Sequence, residues 1–534
     1  GQLVEVYRNN PLVEIVEPNF IRYPLVTIPN DVYFSLQWGL SNINAPLGWG
    51  IERGDNSVII AVLDTGIDFD HPDLTNKYWI NSGEIYGDGY DNDENGYDDD
   101  RFGWDFIDDD ALPWDLNGHG THVSGIAAAE SNNNVGIAGV SWNCSVMPVR
   151  VLSTSGGGPL LAELLGIYYA ADNGADVINL SLGSSSESSL ENDAIQYARD
   201  MGCVIIAAAG NNGDSSDHYP ASCNNVISVG AVDQNDNKSS YSNYNSMVDV
   251  CAPGGEENVL HDPDAILSTL PTYSYYIRTL YGYYYDYDFF QGTSMAAPFV
   301  SGMAALIFSQ NPTWPNTQVE NRIFSSVDDL GDAGRDDYYG YGRINLLKAL
   351  NDPPATPLVF AANSGKTRII LSWATNTEPD LDGYNIYRSS EEAGPYTLIT
   401  SLGASAISYV DETSEGTYYY KIAAYDMYGF ESSLSDAISA SVDAALPSIL
   451  LNVYPNPFTI GSSGGVAFAG FNGDERINIY TIAGELVISR QLVGEAVWTW
   501  DTLNTAGRQV APGIYIYMVR SPAGEKTVGK IAIK

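Results

Sequence analysis

Short apolar runs alternate with helical patterns over residues 57–350, and this alternation constrains the fold more than any other feature of the sequence. The runs are continuous in apolar residues, which is typical of strands buried on both faces of a parallel sheet. They are Val58–Leu63, Val146–Val151, Val177–Leu182, Val204–Ala209, Val226–Val232 and Val248–Cys251. Helical patterns such as Leu160–Ala171 and Ser189–Met201 lie between them. Repeated strand and helix predict an α/β, doubly wound core with a mostly parallel sheet.

The pattern changes at Asn351–Pro357, a proline-rich stretch without periodicity that is typical of a linker. Beyond it, alternating apolar residues predict antiparallel strands separated by turns, and a β-sandwich built around Trp373. The strand candidates are Ile369–Trp373, Gly383–Arg388, Tyr396–Thr400 and Thr417–Tyr425. The motifs L-S-W, G-Y-N-I-Y-R and Y-Y-Y-K-I-A-A-Y-D give this segment a resemblance to a fibronectin type III module.

The last segment, Pro447–Lys534, is also predicted to be all β. Its motifs are Y-P-N-P-F at Tyr454–Phe458, I-N-I-Y-T-I-A-G-E at Ile477–Glu485 and P-G-I-Y-I-Y at Pro512–Tyr517. They resemble the small sandwich at the end of bacterial secreted proteins, as in flagellar hook-capping and type IX sorting domains. The resemblance implies an export or surface-retention module, and a plain β-sandwich spacer is the alternative.

Charge excludes one class of partner. The chain has 67 Asp and Glu against 24 Lys and Arg, a formal net charge of −43. Such a surface repels phosphate backbones, so nucleic-acid binding is not expected.

No apolar run reaches about 18 residues, so no membrane span is expected. The residues from Gly1 lack the basic-then-apolar pattern of a signal peptide, which leaves open a segment upstream of Gly1.

Three segments carry residues suited to nucleophilic catalysis: Ala61–Asp68, Asn117–Gly125 and Gly292–Pro298. A serine needs a neighbouring imidazole to take its proton, and a buried carboxylate must hold that imidazole in one tautomer. Asp64 at the end of a strand, and His119 and Ser294 each at the start of a helix, supply these parts. We therefore predict a catalytic triad of Asp64, His119 and Ser294.

Two other hydrolase classes fit the motifs less well. Aspartic proteases need two D-T-G motifs, and this chain has one. An esterase or lipase would place its nucleophile in G-x-S-x-G. Here the sequence around the serine is G-T-S-M-A, at Gly292–Ala296.

With these motifs in this order, residues 30–350 resemble the subtilisin-like serine proteases, since Asp, His, Ser is the triad order of subtilisin itself. The resemblance implies a secreted, calcium-stabilised endopeptidase that acts on extended polypeptides through an acyl-enzyme. His122 matches a structural position of the family. Asn211 in A-A-A-G-N-N-G matches the side-chain amide that stabilises the oxyanion together with the backbone N–H of Ser294. A turn asparagine is the alternative for Asn211.

A binding protein with an inert protease fold is the rival from another class. An idle site has no physical need for Asp64, His119, Asn211 and Ser294 to be intact together, so the enzyme is favoured.

Substrate binding is expected to occur through backbone pairing, because an extended peptide can add itself as a strand. By resemblance, Ser181, Leu182 and Gly183 form one edge, and Gly156, Gly157 and Gly158 form the other. His218 falls near the floor of the primary specificity pocket, where many relatives have a small residue. The tyrosine-rich Tyr273–Phe290 looks like an insertion that either walls the cleft or packs on the surface.

Carboxylates clustered with Asn and Gly suggest calcium, a hard cation that prefers oxygen ligands. Residues 91–100 read D-N-D-E-N-G-Y-D-D-D, which resembles the opening of an EF-hand loop. The expected Glu at position 12 is replaced by Phe102, so a solvated acidic loop is the alternative. The candidate ligands are Asp91, Asp93, Asn95, the Tyr97 carbonyl, and Asp99 or Asp100 to close the site.

A second calcium site is implied by resemblance to thermostable members of the family, with Asp31, Asp73 and Asn133 at the matching positions. Asn10–Phe20 resembles the end of a subtilase propeptide, which would inhibit the enzyme and be cut within Arg22–Pro29.

Four cysteines are present: Cys144, Cys203, Cys223 and Cys251. None forms a C-x-x-C pair, so a zinc or thioredoxin-type site is not expected. One disulfide and two buried thiols are expected. By resemblance to the family fold, Cys203 and Cys223 flank neighbouring strands and are the disulfide candidates. Cys251 reads as a buried thiol, and Cys144 stays undecided.

The predicted organisation has four parts. These are a propeptide remnant at 1–25, a peptidase domain at 26–352, a fibronectin type III-like domain at 356–443 and a C-terminal β-sandwich at 446–534. We expect a monomer that acts on polypeptides outside the cell, and cell-surface attachment through the last domain is an open possibility.

Overall fold

The computed structural model describes residues 26–365, 368–443, 451–461, 464–493, 495–522 and 524–534. The propeptide remnant expected at residues 1–25 lies outside the described residues. The described chain divides into two compact units, with the boundary between Asp352 and Pro353.

The first unit contains a nine-stranded sheet and its flanking helices. Its strands, including a separate β8–β9 pair, are Ile59–Asp64 (β1), Trp104–Asp105 (β2), Ser145–Arg150 (β3), Val177–Leu180 (β4), Val204–Ala208 (β5), Ile227–Val232 (β6), Val250–Pro253 (β7), Ile266–Thr269 (β8), Tyr287–Phe290 (β9), Val327–Asp328 (β10) and Arg343–Ile344 (β11). Its helices are Trp38–Asn42 (α1), Ala45–Gly48 (α2), His119–Ala128 (α3), Leu160–Asp172 (α4), Ser189–Asp200 (α5), Tyr276–Tyr281 (α6), Thr293–Gln310 (α7), Asn316–Ser325 (α8) and Leu346–Leu350 (α9).

The strand order is β10-β11-β7-β6-β5-β4-β1-β3-β2, and only the β10–β11 pair is antiparallel. Successive side chains of a strand point to opposite faces, so a fully buried strand needs a core on each side. In β1, Ile60 and Val62 pack into one core with α3 and α7. Ala61 and Leu63 pack into a second core with α4 and α5. The predicted doubly wound, mostly parallel α/β fold is confirmed.

The 18-residue helix α7 is buried on nearly every side, which explains why its sequence has no polar face. It begins at Gly292-Thr293, at the same edge of the sheet where β1, β4 and β5 end. The carboxyl ends of parallel strands are where open α/β sheets bind their ligands. The topology therefore gathers Asp64, Ser181, Asn211 and Ser294 at one edge.

The predicted disulfide is wrong: all four cysteines are buried free thiols. The Cys203 thiol donates to the carbonyl of Ala175 at 2.9 Å. The Cys223 thiol donates to Oε2 of Glu191 at 3.7 Å. Each sulfur therefore has its own hydrogen-bond acceptor. Burial, followed by the nearby charges of Asp176 and Glu191 respectively, raises the pKa of both thiols to about 12.

The second unit is all β, as predicted. Its strands are Ala361–Asn363 (β12), Ile369–Ser372 (β13), Leu381–Ser389 (β14), Thr397–Gly403 (β15), Ser408–Asp411 (β16), Gly416–Asp426 (β17), Ile438–Val442 (β18), Asn452–Tyr454 (β19), Val466–Gly473 (β20), Arg476–Thr481 (β21), Leu486–Gln491 (β22), Glu495–Trp500 (β23), Gly513–Arg520 (β24) and Lys526–Ile533 (β25).

These strands form two pairs of antiparallel sheets, each pair around its own core. Sheet β12-β13-β16 and sheet β15-β14-β17-β18 share a core with the buried Trp373, Tyr384 and Tyr420. Sheet β19-β20-β23 and sheet β22-β21-β24-β25 share another, around Phe468 and Trp500. Two sheets facing one core are a β-sandwich, because alternate residues of each strand point inward. Within the described residues, no helix has the length and apolar character needed to cross a membrane.

Candidate active site

Asp64 and His119 form a close pair at the carboxyl edge of the sheet. Asp64 is the last residue of β1 and is fully buried, and His119 is the first residue of α3. The distance from His119 Nδ1 is 2.8 Å to Oδ1 of Asp64 and 3.0 Å to Oδ2. A carboxylate only accepts, so Nδ1 carries the hydrogen and Nε2 is left as the basic nitrogen. The His119 side chain is 22% exposed.

Gly120 explains how α3 approaches β1 so closely. A Cβ atom on Gly120 would lie 2.3 Å from the carbonyl oxygen of Gly66 and 3.2 Å from Cβ of Asp64. Any larger residue would push the start of the helix away from the strand. The glycine in H-G-T-H therefore fixes the distance between His119 and Asp64.

Asp115 organises the same corner, although no sequence motif pointed to it. Its fully buried carboxylate accepts hydrogen bonds from the hydroxyls of Thr65 and Thr121 at 2.8 and 2.7 Å. It also accepts from the backbone N–H of Gly118 at 2.8 Å and of Thr121 at 2.8 Å. It thus ties the residue after Asp64 to the start of α3. An Asp four residues before His119 was the only local signal.

Ser294 lies in the first turn of α7 and lines a cleft of about 870 Å³ together with His119. Its Oγ donates to the carbonyl of Ser181 at 3.1 Å, and Oγ of Ser181 donates to the carbonyl of Ser294 at 2.8 Å. The serine is therefore anchored against the chain that follows β4. The backbone N–H groups of a first helical turn have no intrahelical partner, so that of Ser294 is available to a ligand.

Asn211 reaches the same cleft from the end of β5. Its Oδ1 accepts from the backbone N–H and from the hydroxyl of Thr293, each at 2.9 Å. This pair of bonds fixes the amide plane and leaves the Nδ2 hydrogens as donors. A Cβ atom on Gly292 would lie 3.5 Å from Nδ2, so the glycine leaves that face of the amide open.

The pKa values of the two histidines of H-G-T-H are shifted in opposite directions. Burial by itself disfavours protonation of His119, but the charge of Asp64 and its hydrogen bond outweigh it and raise the pKa of His119. Burial lowers the pKa of His122 to about 3, so that ring is neutral. It stacks on Phe290 with ring centroids 4.4 Å apart. This packing fits the structural role expected for His122.

The residues expected at the two substrate edges line this cleft as well. They are Ser181, Leu182 and Gly183 after β4, and Gly156, Gly157 and Gly158 before α4. His218 lies beside the first edge. A Cβ atom on Gly183 would lie 2.6 Å from His218 Nε2, and one on Gly210 would lie 2.9 Å from its Cγ. The imidazole therefore fills space between Gly183 and Gly210.

The tyrosine-rich insertion forms part of the cleft wall. It folds as the short helix α6 and the strand β9, which pairs with β8. The side chains that face the cleft are those of Tyr276, Ile277, Leu280 and Tyr281. Of the two alternatives left by the sequence, the structure supports a wall over surface packing.

The acidic loop gathers a different set of groups from the one expected. Carboxylate oxygens of Glu84, Asp93 and Asp100 all lie within 4.8 Å of one another. Glu84 precedes the loop, and no sequence spacing pointed to it. It is 2% exposed, and its Oε2 is buried without a hydrogen-bond donor among the described residues. Asn95 lies beside the cluster, where its amide donates to Asp100 at 2.9 Å.

Two other expected ligands of this loop, Asp91 and Asp99, accept hydrogen bonds from backbone N–H groups. Asp91 accepts from the backbone N–H of Asn95 at 3.0 Å and of Gly96 at 2.8 Å. Asp99 accepts from the N–H of Asp88 at 3.0 Å and of Gly89 at 2.9 Å. Tyr97 was expected to offer its backbone carbonyl, and its ring packs among Trp104, Phe106 and Tyr169. Asp91 and Asp99 therefore shape the loop, and the carboxylates that converge are Glu84, Asp93 and Asp100.

Asp31, Asp73 and Asn133 are brought together near the start of the described chain. The Asn133 amide donates to Oδ1 of Asp73 at 2.9 Å, and its backbone N–H donates to Oδ1 of Asp31 at 3.1 Å. Both aspartates are buried. Burial raises the pKa of Asp31, and the charge of Asp73 adds to that effect. Tyr287 of the insertion donates to Oδ2 of Asp73 at 3.0 Å.

Comparison with known proteins identifies the first unit. The subtilase family model matches residues 55–342. Thermitase of Thermoactinomyces vulgaris is 42% identical over 60% of this chain and 99% of its own length. The halolysin-like extracellular serine protease Nep of Natrialba magadii is 34% identical over 66% of this chain and 59% of its own.

A solved structure agrees with these relatives. A protease from Pseudoalteromonas arctica PAMC 21717 is 34% identical, with a TM-score of 0.50, covering 60% of this chain and 98% of that one. Residues 55–342, which the family model matches, include every strand of the nine-stranded sheet except β11, the Asp64–His119 pair and the helix that begins at Thr293. The chain therefore belongs to the subtilase family and is a serine endopeptidase.

Proposed function

We propose that this endopeptidase is extracellular and calcium-stabilised, and that it cleaves extended polypeptides through the triad Asp64, His119 and Ser294. One observation carries the proposal: a histidine bonded at 2.8 Å to a buried carboxylate lies in the same cleft as Ser294 and Asn211. The extracellular location rests on the family and on the relative from Natrialba magadii, whose name says that it is extracellular.

The first chemical step is attack by Ser294 on the substrate carbonyl. Rotation about its Cα–Cβ bond moves Oγ from the carbonyl of Ser181 toward His119, whose Nε2 takes the hydroxyl proton. Oγ bonds to the carbonyl carbon, and the C=O pair moves onto oxygen. That oxyanion accepts hydrogen bonds from Nδ2 of Asn211 and from the backbone N–H of Ser294.

Collapse of this intermediate breaks the peptide bond. The proton on His119 passes to the leaving amine, and the acyl group stays on Ser294 as an ester. Water then attacks the ester in the same way, with His119 again as the base. The carboxylic acid is released, and Ser294 regains its hydroxyl. Asp64 stays ionised and stabilises the imidazolium in both halves.

Hydrolysis of casein by the full chain tests this proposal. We expect activity that a serine-directed covalent inhibitor abolishes, with one label per chain, on Ser294. Unlabelled, inactive protein in the presence of calcium would contradict the proposal and favour the inert binding protein. The mass of the N-terminus in the same sample would distinguish that result from a precursor whose propeptide is still in place.

The pKa of His119 predicts the acid limb of the pH profile. Only neutral His119 can act as the base, and Asp64 raises its pKa above the ordinary 6.5. Activity is therefore lost as the pH falls through the raised pKa, and we expect a midpoint above 6.5 in kcat/KM for an uncharged peptide. NMR titration of His119 in the Ser294→Ala chain should give a raised value too. A midpoint below 6.5 in both measurements would contradict the prediction.

We propose calcium at two places. Glu84, Asp93 and Asp100 converge, and none of the three carboxylates forms an ion pair with a lysine or arginine of the described residues. Glu84 also has an unpartnered buried oxygen, so the donor set fits a divalent cation. Asp31, Asp73 and Asn133 would form the second site, where both buried carboxylates are hydrogen-bonded to Asn133. Calcium there would tie residues near position 31 to the loop that follows α3.

Chelation should lower the melting temperature of the peptidase unit. A ligand that binds only the folded chain stabilises it by about 2.7 kcal/mol at 100 times its dissociation constant, so excess EDTA should lower Tm by several degrees. Glu84→Gln and Asp73→Asn should each reduce the change in Tm that EDTA causes. Asp91→Asn is the matched control, because that carboxylate binds backbone N–H groups and should leave the calcium dependence intact. A Tm that EDTA does not change would refute both sites.

The remaining parts of the chain also carry proposals. We propose that residues 1–25 are the end of an inhibitory propeptide, which N-terminal mass before and after incubation would test. We propose that residues 356–443 are a fibronectin type III-like module and that residues 446–534 are a secretion or sorting module, which their sandwich architecture supports. Fusion of residues 446–534 to a reporter protein would test the last proposal. If the reporter is neither exported nor retained at a cell surface, these residues are a spacer.

A further inference from the structure

Two glutamates meet at one end of the cleft that contains Ser294. Glu163 lies in the first turn of α4 and Glu191 in the first turn of α5, and both line that cleft. Helix α4 begins two residues after the edge that ends at Gly158, and α5 follows the edge that ends at Gly183. The carboxyl groups therefore lie where the two expected substrate edges continue into helices.

Glu191 is buried, Glu163 is half-buried, and their carboxyl groups are close enough to hydrogen-bond to each other. Glu191 is 3% exposed, and Oε1 of Glu163 is buried without a donor among the described residues. Burial, the charge of Glu191 and the hydrogen bond to it raise the pKa of Glu163 to about 9. Burial also raises the pKa of Glu191. At neutral pH Glu163 therefore holds a proton, which its hydrogen bond places against Glu191.

Among the described residues, no lysine or arginine lines the cleft to compensate a negative charge on this pair. The described residues that line it include a third glutamate, Glu187, at the exposed rim, and they include no lysine or arginine. Buried carboxylates are normally paired with a cation, because the cost of desolvating them is high. The first turns of two helices stabilise ionised carboxylates further. The cleft thus presents an acceptor for a cation that the chain itself does not supply.

We propose that Glu163 and Glu191 form a subsite that selects a lysine or arginine side chain of the substrate. This inference rests on the proposed function, because it assigns the specificity of the same cleft. The selected residue is not the one whose carbonyl is attacked, because the expected primary specificity pocket lies at His218, which packs against Gly183 and Gly210. It is a residue farther along the extended peptide, whose side chain passes between the starts of α4 and α5.

Kinetics with matched peptides tests the subsite. The two peptides of each pair differ at one position, where one has lysine and the other has the uncharged norleucine. At one position away from the scissile bond we expect kcat/KM to favour lysine by about tenfold or more. Glu163→Gln and Glu191→Gln should each remove most of that ratio. Asp193→Asn, an exposed charge two residues along α5, should keep the ratio within about twofold.

Proton release provides a second readout, which a general surface field would not produce. The Ser294→Ala chain is titrated with each peptide by calorimetry near neutral pH, in two buffers of different ionisation enthalpy. The lysine ammonium should displace the shared proton of Glu163, and norleucine should not. Among the described residues, the titratable neighbours of the pair include Glu187 at the rim, the Cys223 thiol on Glu191 and the Tyr219 hydroxyl. The raised pKa of Cys223 and the raised pKa of Tyr219 keep both groups protonated near neutral pH.

The outcomes separate the subsite from the chemistry. Equal kcat/KM for lysine and norleucine at every position, or a preference that survives both glutamine variants, would overturn the subsite while the endopeptidase stands. If no peptide is cleaved, the proposed catalytic role of Ser294 fails, and the calorimetric comparison still decides the subsite. A lysine peptide that binds without releasing a proton, and no tighter than norleucine, would also overturn it.

Discussion

Replacing Ser294 by alanine should reduce kcat by about a million-fold, the loss measured for the nucleophile of subtilisin, which is the reference enzyme of this family. The variant keeps the cleft but has no oxygen to attack the carbonyl. The methyl group also loses the 3.1 Å bond to Ser181, a small structural change next to the chemical one. Initial rates on a fluorogenic peptide, with active-site titration, measure the loss.

A double variant makes this test specific to a triad. Residues that act as one unit are not additive, so His119→Ala combined with Ser294→Ala should lose little more than Ser294→Ala alone. Residual activity over water should remain, because Asn211 and the binding cleft are intact. Losses that multiply, or a Ser294→Ala enzyme with appreciable turnover, would show that the nucleophile lies elsewhere.

Replacing Asn211 by leucine should reduce kcat by about 10²–10³ and change KM little, because the amide contacts the oxyanion and not the ground-state carbonyl. The magnitude again comes from subtilisin. Leucine has a similar size, so the cleft keeps its shape. A loss that appears mainly in KM would contradict the role and indicate a part in substrate binding.

Thr293→Val is the matched variant for Asn211. It removes the hydroxyl that bonds Oδ1 of Asn211 and leaves the backbone N–H bond at 2.9 Å in place. The amide then keeps its Nδ2 donors but loses one of the two hydrogen bonds that hold its Oδ1. We expect a loss in kcat that is clearly smaller than that of Asn211→Leu, in the same parameter.

The sequence predicted which candidate residues lie together at one edge of the sheet wherever each of them lies at the end of its own element. Asp64 ends a continuous apolar strand, and His119 and Ser294 each lie at the start of a helix. The local pattern alone therefore places each of them at the edge of the sheet. The same reasoning predicted the parallel sheet, because strands buried on both faces leave an unbroken apolar run.

Residues that meet only through the tertiary fold were missed. Glu84 joins Asp93 and Asp100 from outside the acidic loop, and Glu163 meets Glu191 from another helix. Asp115 was missed because its role is to satisfy backbone donors, which leaves no periodic signal. The disulfide was assigned by analogy with neighbouring strands, but each sulfur has a different acceptor, and proximity of strands does not set side-chain direction.

The glutamate pair has a consequence for the lifetime of the enzyme. A protease in concentrated solution meets its own surface before any other substrate, and autolysis then limits how long it lasts. This chain carries 24 lysines and arginines in 534 residues. Several of them are held in ion pairs, such as Arg199 with Glu320 and Arg343 with Asp328. If Glu163 and Glu191 select a basic side chain, the enzyme discriminates against its own acidic surface and is protected from self-digestion.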